Sequence, residues 1–423
     1  MADTVGKFSV SLVRNGKDYP FEQSDIIDIV MTEDIFRAAM TATLRFYDKV
    51  GSSEILEFTG YDYVIISYSE EEETYSKLFV VYDYNCIDND IQTTGPSFNI
   101  TTWYLIEPHF VNMTTYNFCR SWGENIKGSQ IIKDICKNMC GIDNKYLNNF
   151  EESNETFDNF YIPSTWSPLQ AINWIKNRCS GKSNLPGYLF YSNRDGLNLK
   201  TIEELSINKD REKDSKGNEV QYWLTGGVDV GDDFNHILSW SFNPPDMHSL
   251  KYLSGGLSQG YNPKSKELIT KKFRYSEVIK KYSLLGKYTL FPDISNTKTD
   301  ITCEGEPNEE YMINKKEGDL IKRYSQQMAV NLEVRGHTKR YAGMLIDIMW
   351  KSAISQKQLH GMYQGLYLVR SITHLFSNGD QSGTTANYRQ IIIGLKTGYT
   401  SLEQKLSIQK AEKFIEASSK TAK

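Results

Sequence analysis

Alternation with a period of two runs through the first hundred residues and restricts this part of the chain to strand-built folds. In KFSVSLVR (Lys7–Arg14) and ATLRFYDK (Ala42–Lys49) apolar and polar side chains alternate, so each run has one face to bury and one to wet. YDYVIISY (Tyr61–Tyr68) and KLFVVYDYNC (Lys77–Cys86) flank an acidic tip, Glu70 to Glu73, as the arms of a long hairpin would, and SFNITTWYLI (Ser97–Ile106) adds a further strand. SDIIDIVMTEDIF (Ser24–Phe36) reads as a short helix or an irregular strand. The 27 tyrosines and 19 phenylalanines suit pleated, half-buried surfaces. Five or more antiparallel strands with short turns predict a small barrel or sandwich.

The period then changes. In GSQIIKDICKNMCG, Ser129 is the expected N-cap and Gly141 the stop, with Ile131, Ile132, Ile135, Cys136, Met139 and Cys140 on one stripe. In PSTWSPLQAINWIKNRC, Ser167 caps a second helix and Pro168 occupies its first turn, with Leu169, Ile172, Ile175 and Cys179 along one face. YLFYS and LNLKTI follow, joined across the turn Asn193-Arg194-Asp195-Gly196. Trp166 and Trp174 are expected to pack this α/β insert against a neighbouring module or subunit. Beyond the charged linker NKDREKDSKGNE, NHILSWSFN reads as a strand broken by Pro244 and Pro245, and GYNPKSKELITKKFRYSEV as a hairpin. EGDLIKRYSQQMAVN has helical spacing. It leads into LEVRGHTKRYAGMLIDIMW, GLYLVRSITHLF, a glycine-rich tip and YRQIIIGLK. In the polar, lysine-rich tail, Leu402, Leu406, Phe414 and Ile415 are spaced for a weak amphipathic helix.

The first and last β modules share an order. Gly60, YDYVIISY, a tip, LFVVYDYNC and ITTWYL match Gly343, MLIDIMW, a tip, LYLVRSITH and IIIGL. Either the module is duplicated, an architecture that suits assembly, or both are generic meanders.

The net charge of −5 is unevenly spread. Residues 1–112 hold 7 Lys+Arg and 19 Asp+Glu, leaving the remainder at +7. A nucleic-acid binder is expected to show a basic face, and an acidic module disfavours such adhesion. Six scattered cysteines predict a reduced compartment rather than a disulfide scaffold. MADTVGKFSV is not a signal peptide, and no apolar run reaches the roughly 18 residues of a membrane helix, so a soluble protein made in the cytosol is expected.

GLSQG (Gly256–Gly260) fits the nucleophile-elbow pattern around Ser258, but a hairpin follows where a helix is needed, so a glycine-rich loop is the better reading. GKS at Gly181 lacks the earlier glycine of a phosphate loop, Lys176 standing in its place. Cys136 and Cys140, with Cys119 or Cys179, have the donors for zinc, yet the first two fit the apolar stripe and are read as core. The six histidines lie apart; His337 and His374 fall on or beside strands, where a core or surface role is the default. The acidic run reads as a solvated tip that resists edge pairing. No catalytic, cofactor-binding or metal-binding residue is assigned, and no enzyme is expected.

PSTWSPLQAINWI followed by GYLFYSNRDGLNLKTIEEL, then GYNPKSKELITKKFRYSEV, then RYSQQMAVNLEVRGHTKRYAGMLIDI with Gly336 and Gly343 bracketing a turn, then GLYLVRSITHLF, form an ordered set over residues 115–400. Together they resemble the central baseplate hub protein of contractile-tailed bacteriophages of the T-even type, related to the hub half of type VI secretion spike proteins. The resemblance implies a β-rich α+β multidomain chain: a first tube-like antiparallel β-barrel (1–114), an α/β insert (115–218), an intermediate β domain (219–312, with part of 226–245 a candidate partner for the second barrel), a second tube-like barrel (313–400) and a polar tail (401–423). It implies a ring-shaped homotrimer in the virion baseplate, assembled in the host bacterial cytoplasm. Such a ring adapts the sixfold tail tube to the threefold central spike and leaves a lumen through which DNA passes without specific binding. The implied partners are the trimeric spike, the tail tube or tube-initiator proteins and the tape measure protein in the lumen; there is no cofactor and no membrane segment. The tail beyond Gly398 and the polar stretch 291–313 depart from the pattern. The alternatives are the hub of a secretion or injection spike, a glycan- or receptor-binding tail protein with stacking Tyr and Trp, and, least, a hydrolase acting through Ser258 or a carboxylate pair.

Overall fold

The structure is a computed structural model that describes residues 7–49, 51, 62–70, 73–87, 99–207, 221–223, 236–243, 255–262, 265–274, 300–303, 309–324, 328–349, 365–378 and 386–396. The tip residues 71 and 72, most of 291–308 and the tail 401–423 lie outside them.

The alternating runs form β1 (Lys7–Arg14), β2 (Lys17–Pro20), β3 (Ile26–Asp34), β4 (Thr41–Asp48), β5 (Tyr63–Glu70), β6 (Glu73–Ile87) and β7 (Asn99–Ile106). They pair antiparallel in the order β3-β4-β7-β6-β5-β1-β2. Inward residues of all the long strands, among them Val10, Ile29, Leu44, Val64, Phe79 and Trp103, meet in one core, so the sheet curls around them. Trp103 is fully buried and edge-on to Phe21 and Phe46. The ambiguous segment from Ser24 is strand β3. Its helix-like spacing comes from a bulge between Ile26 and Asp28, which shifts the inward positions by one.

The insert holds short strands β8 (Arg120–Ser121), β9 (Ile126–Lys127), β10 (Asn149–Phe150), β11 (Thr156–Phe157) and β12 (Tyr161–Ile162), and the hairpin β13 (Tyr188–Asn193) and β14 (Gly196–Thr201). Ser167 does cap the helix Pro168–Lys176, in a reciprocal box with Gln170. Ser129 does not cap its helix. Lys127 holds the N-cap position of Gly128–Asp134, and Ser129 instead exchanges hydrogen bonds with Ser153. The helix loosens into a π-turn over Ile135–Met139 and ends at Gly141, whose φ of 70° favours glycine. Trp166 and Trp174 pack on the insert's own core, Trp174 stacked on Phe160 at 5.3 Å. Arg178 lies 4.0 Å from the Trp174 ring centroid.

The rest of the chain supplies β15 (Gln221–Trp223), β16 (Ile237–Asn243), β17 (Gly255–Asn262), β18 (Glu267–Arg274), β19 (Asp300–Cys303), the helix Glu309–Tyr324, β20 (Met328–Arg335), β21 (Leu345–Met349), β22 (Gly365–Asn378) and β23 (Ala386–Lys396). GLSQG lies within β17, paired on both edges by β18 and β19, rather than in a loop. The helix stops at Tyr324, and MAVN opens β20, where Met328, Val330, Leu332 and Val334 alternate into a second core. Asn314 ties the helix to the insert by donating to Glu155 Oε1 at 2.7 Å and to the Arg178 carbonyl.

The two β modules repeat in detail. The path β3-β4-β7-β6-β5 is matched by β16-β20-β23-β22, with β21 beside β22. Both first strands carry a bulge, between Ile26 and Asp28 and between Ile237 and Ser239. So do both long strands, between Val81 and Asp83 and between Val369 and Ser371. Aligned on the bulges, every ladder keeps register: Leu44 pairs with Trp103 as Leu332 pairs with Ile392, and Tyr63 with Val80 as Leu345 with Leu368. Generic meanders share an order but not two bulge positions and a common register.

Among the described residues neither module closes into a barrel. β22 pairs with β3, which merges them into one 13-stranded sheet, and among the described residues its path stays open, ending at β16 and β2. Two cores, one per module, sit within this continuous sheet.

Candidate functional site: the junction of the two modules

Where β3 meets β22, buried polar groups from three parts of the chain converge. The register sets Glu33 opposite Ile372, Thr32 opposite Thr373 and Met31 opposite His374. Glu33 is fully buried, and its carboxylate accepts from the Arg194 amide at 3.0 Å and the Ala342 amide at 2.8 Å. His374, equally buried, places Nε2 3.7 Å from Glu33 Oε1 and Nδ1 2.8 Å from the Tyr388 hydroxyl. Gln390 extends the chain of contacts. It donates to the Tyr388 hydroxyl and the His337 carbonyl, and accepts from Arg340 at 2.9 Å.

The insert enters through its hairpin turn. Arg194 donates to the Thr338 carbonyl, and its guanidinium lies 4.9 Å from the ring centroids of both Tyr75 and Tyr341. One side chain thus bridges an aromatic of the first module and an aromatic of the second. Asn193 donates to the Ala342 carbonyl. Gly336 is required here because a β-carbon would fall on the Tyr388 ring, and Gly343, at φ 97°, lies against the Tyr191 hydroxyl. On the far side of the hairpin, a cavity of about 540 Å³ lies between β6 and the insert. At its wall Lys77 donates to the Asn193 carbonyl at 2.6 Å and sits 3.5 Å from Glu107, which accepts from the Met40 amide.

The arrangement fixes geometry. Both Glu33 oxygens are occupied by backbone amides, so the carboxylate is committed to holding the seam. Burial pushes the Tyr68 hydroxyl, on the first module's side, well above the usual tyrosine range. Ordered polar groups of this kind specify one relative placement of the packed parts.

The residues weighed from sequence lie elsewhere, His337 and His374 excepted. Ser258 sits mid-strand opposite Lys271. Cys136, Cys140 and Cys179 lie in the insert's apolar core, where burial pushes their thiols up, Cys140 to about 12. Cys119 is exposed. Gly181 donates to the Leu185 carbonyl within a tight loop. Among the described residues, no group of three or more His, Cys, Asp or Glu could hold a metal ion, and no helix is long and apolar enough to cross a membrane. Glu33, Arg194, Arg340 and Gln390 carried no motif, since each gains its meaning only when distant segments meet.

No protein-family model matches the chain, and no curated protein matches it. Solved structures do. A tail protein from Neisseria meningitidis MC58 superposes with a TM-score of 0.58 at 8% identity, covering 93% of this chain and 98% of that one. The 43 kDa tail protein of prophage MuSo2 from Shewanella oneidensis gives 0.56 at 13% identity, covering 92% and 99%. Over more than nine-tenths of its length the chain has the fold of these tail proteins.

Proposed function

We propose that this chain is a structural component of a phage tail, the central hub of a contractile-tail baseplate, and that it carries no catalytic activity. The observation that supports this most directly is the duplicated module, in a chain that follows the fold of two tail proteins over 93% and 92% of its length. Two like modules per chain let three copies present six similar units, which reconciles a sixfold tail tube with a threefold central spike. In this reading each module contributes a tube-like barrel once neighbouring copies complete its curled sheet. The proposed borders are 1–114 for the first module, 115–218 for the insert, 219–312 for the intermediate β domain, from which β16 (Ile237–Asn243) joins the second module, 313–400 for the rest of that module and 401–423 for the tail. The spike, the tube or its initiator and the tape measure protein are the proposed partners. DNA would cross the lumen without specific binding, eased by the acidic balance of the first module.

The buried junction supports a structural role, because it spends its polar groups on locking two modules and the insert together. The test is immunogold labelling of purified particles with antibody to this chain. Gold at the tail end distal to the head supports the reading; absence of the chain from particles contradicts it.

A further inference from the structure

The internal repeat shows how one module follows another, and each module carries one further edge of the same pair, β6 in the first and β16 in the second. Inside the chain, β3 of the first module pairs antiparallel with residues 371–377 of β22. Through the bulges, β3 corresponds to β16: Asp28, Ile29, Met31 and Thr32 match Ser239, Trp240, Phe242 and Asn243. Likewise β22 corresponds to β6: Ser371, Ile372, Thr373 and His374 match Asp83, Tyr84, Asn85 and Cys86. Among the described strands, β16 pairs only with β20, and the stretch of β6 beyond Val81 pairs only with β7.

We infer that copies of this chain join head to tail by antiparallel pairing of β6 of one copy with β16 of the next, repeating the β22–β3 seam between molecules. The inference rests on the trimeric hub reading and names its interface. Transferred to the new seam, the register sets Asn85 opposite Asn243 and Cys86 opposite Phe242, where the chain itself sets Thr373 opposite Thr32 and His374 opposite Met31. The Thr32 and Thr373 hydroxyls lie 3.3 Å apart across the internal seam, a cross-strand pair of the kind that holds such ladders together. Exposure agrees. Ile29 is fully buried at the internal seam, whereas its counterpart Trp240 is 44% exposed; Leu238 and Tyr82, at the bulges of β16 and β6, are exposed as well. An edge carrying such side chains invites pairing, and a second copy offers the complementary edge. The contact is heterologous, so it closes into a ring only at the correct rotation.

The test is an Asn85→Cys/Asn243→Cys double variant of the full chain, mildly oxidised and run on a non-reducing gel. Directly opposed positions on antiparallel strands lie within disulfide reach. The expected result is a covalent ladder that stops at the trimer, with neither single variant giving it. In parallel, Trp240→Glu is expected to weaken association at least tenfold by light scattering while the circular dichroism spectrum stays that of the wild type. If the wild type forms threefold rings but the double variant does not cross-link and Trp240→Glu assembles normally, the seam is elsewhere and the inference fails while the hub reading stands. If the wild type stays monomeric at every concentration, with the spike chain co-expressed or not, and the double variant does not cross-link, both fail.

Discussion

Glu33 and His374 face each other across the seam between the two modules, 3.7 Å apart and neither exposed to solvent. They belong to paired strands that lie at opposite ends of the sequence, so the join between modules is made by the first and last parts of the chain. Because Glu33 also accepts the amides of Arg194 and Ala342, its loss affects three regions together.

Replacing Glu33 by alanine is expected to cost about 3–5 kcal/mol, since two buried amides lose their acceptor at roughly 1–3 kcal/mol each. Glu33→Gln should cost less, because its carbonyl still accepts one amide. Urea unfolding of both variants checks the order.

Gly336→Ala places a methyl where the Tyr388 ring stands, and the Gly336 amide already donates to the Tyr388 carbonyl at 2.8 Å. Relief requires the ring or the strand to move, at about 1–3 kcal/mol. A melting curve reads the loss. The same substitution at Gly16, where nothing lies within 4 Å, tests only its φ of 73°.

Trp174→Ala removes the ring that stacks on Phe160 and carries Arg178 over its face. The ring is only half-buried, so about 3 kcal/mol is expected, at the lower end for a lost aromatic. Hydrogen exchange should rise across the insert and leave β3, β22 and β23 unchanged.

Burial, reinforced by the nearby charge of Lys322, pushes the Lys176 amine down to about 7. In the unfolded chain the same amine titrates near roughly 10.4. Between those values the unfolded chain binds more protons, so stability rises with pH across that window and the full penalty is present below it. Lys176→Met should therefore be more stable than wild type at neutral pH by about 1 kcal/mol, with the advantage shrinking as pH approaches 10. Denaturation of both proteins at several pH values measures this.

What could be read from the sequence was local. The Ser167–Pro168 start, the turn at Asn193–Gly196 and the strand alternation from Lys7 are each written within a few neighbouring residues. Bulges defeated the simple period: Ile26 to Val30 carries one, and so reads equally as helix. MAVN reads as the end of the preceding helix because four residues at a boundary fit both periods, whereas it opens β20. Ser129 looks like a cap, yet its hydroxyl is taken by Ser153, a partner from another loop. The strand order of the repeat was legible from its turn glycines and strand lengths, but its shared register needs the ladders. The junction was invisible, because Glu33, Arg194, Arg340 and Gln390 are ordinary polar residues until the fold brings them together.

The most direct measurement is the solution mass of the purified chain by light scattering, with negative-stain images of the same peak. A mass of three chains and a ring with threefold symmetry around a central hole is the predicted result. A monomer at every concentration, unchanged when the spike chain is co-expressed, would contradict the account.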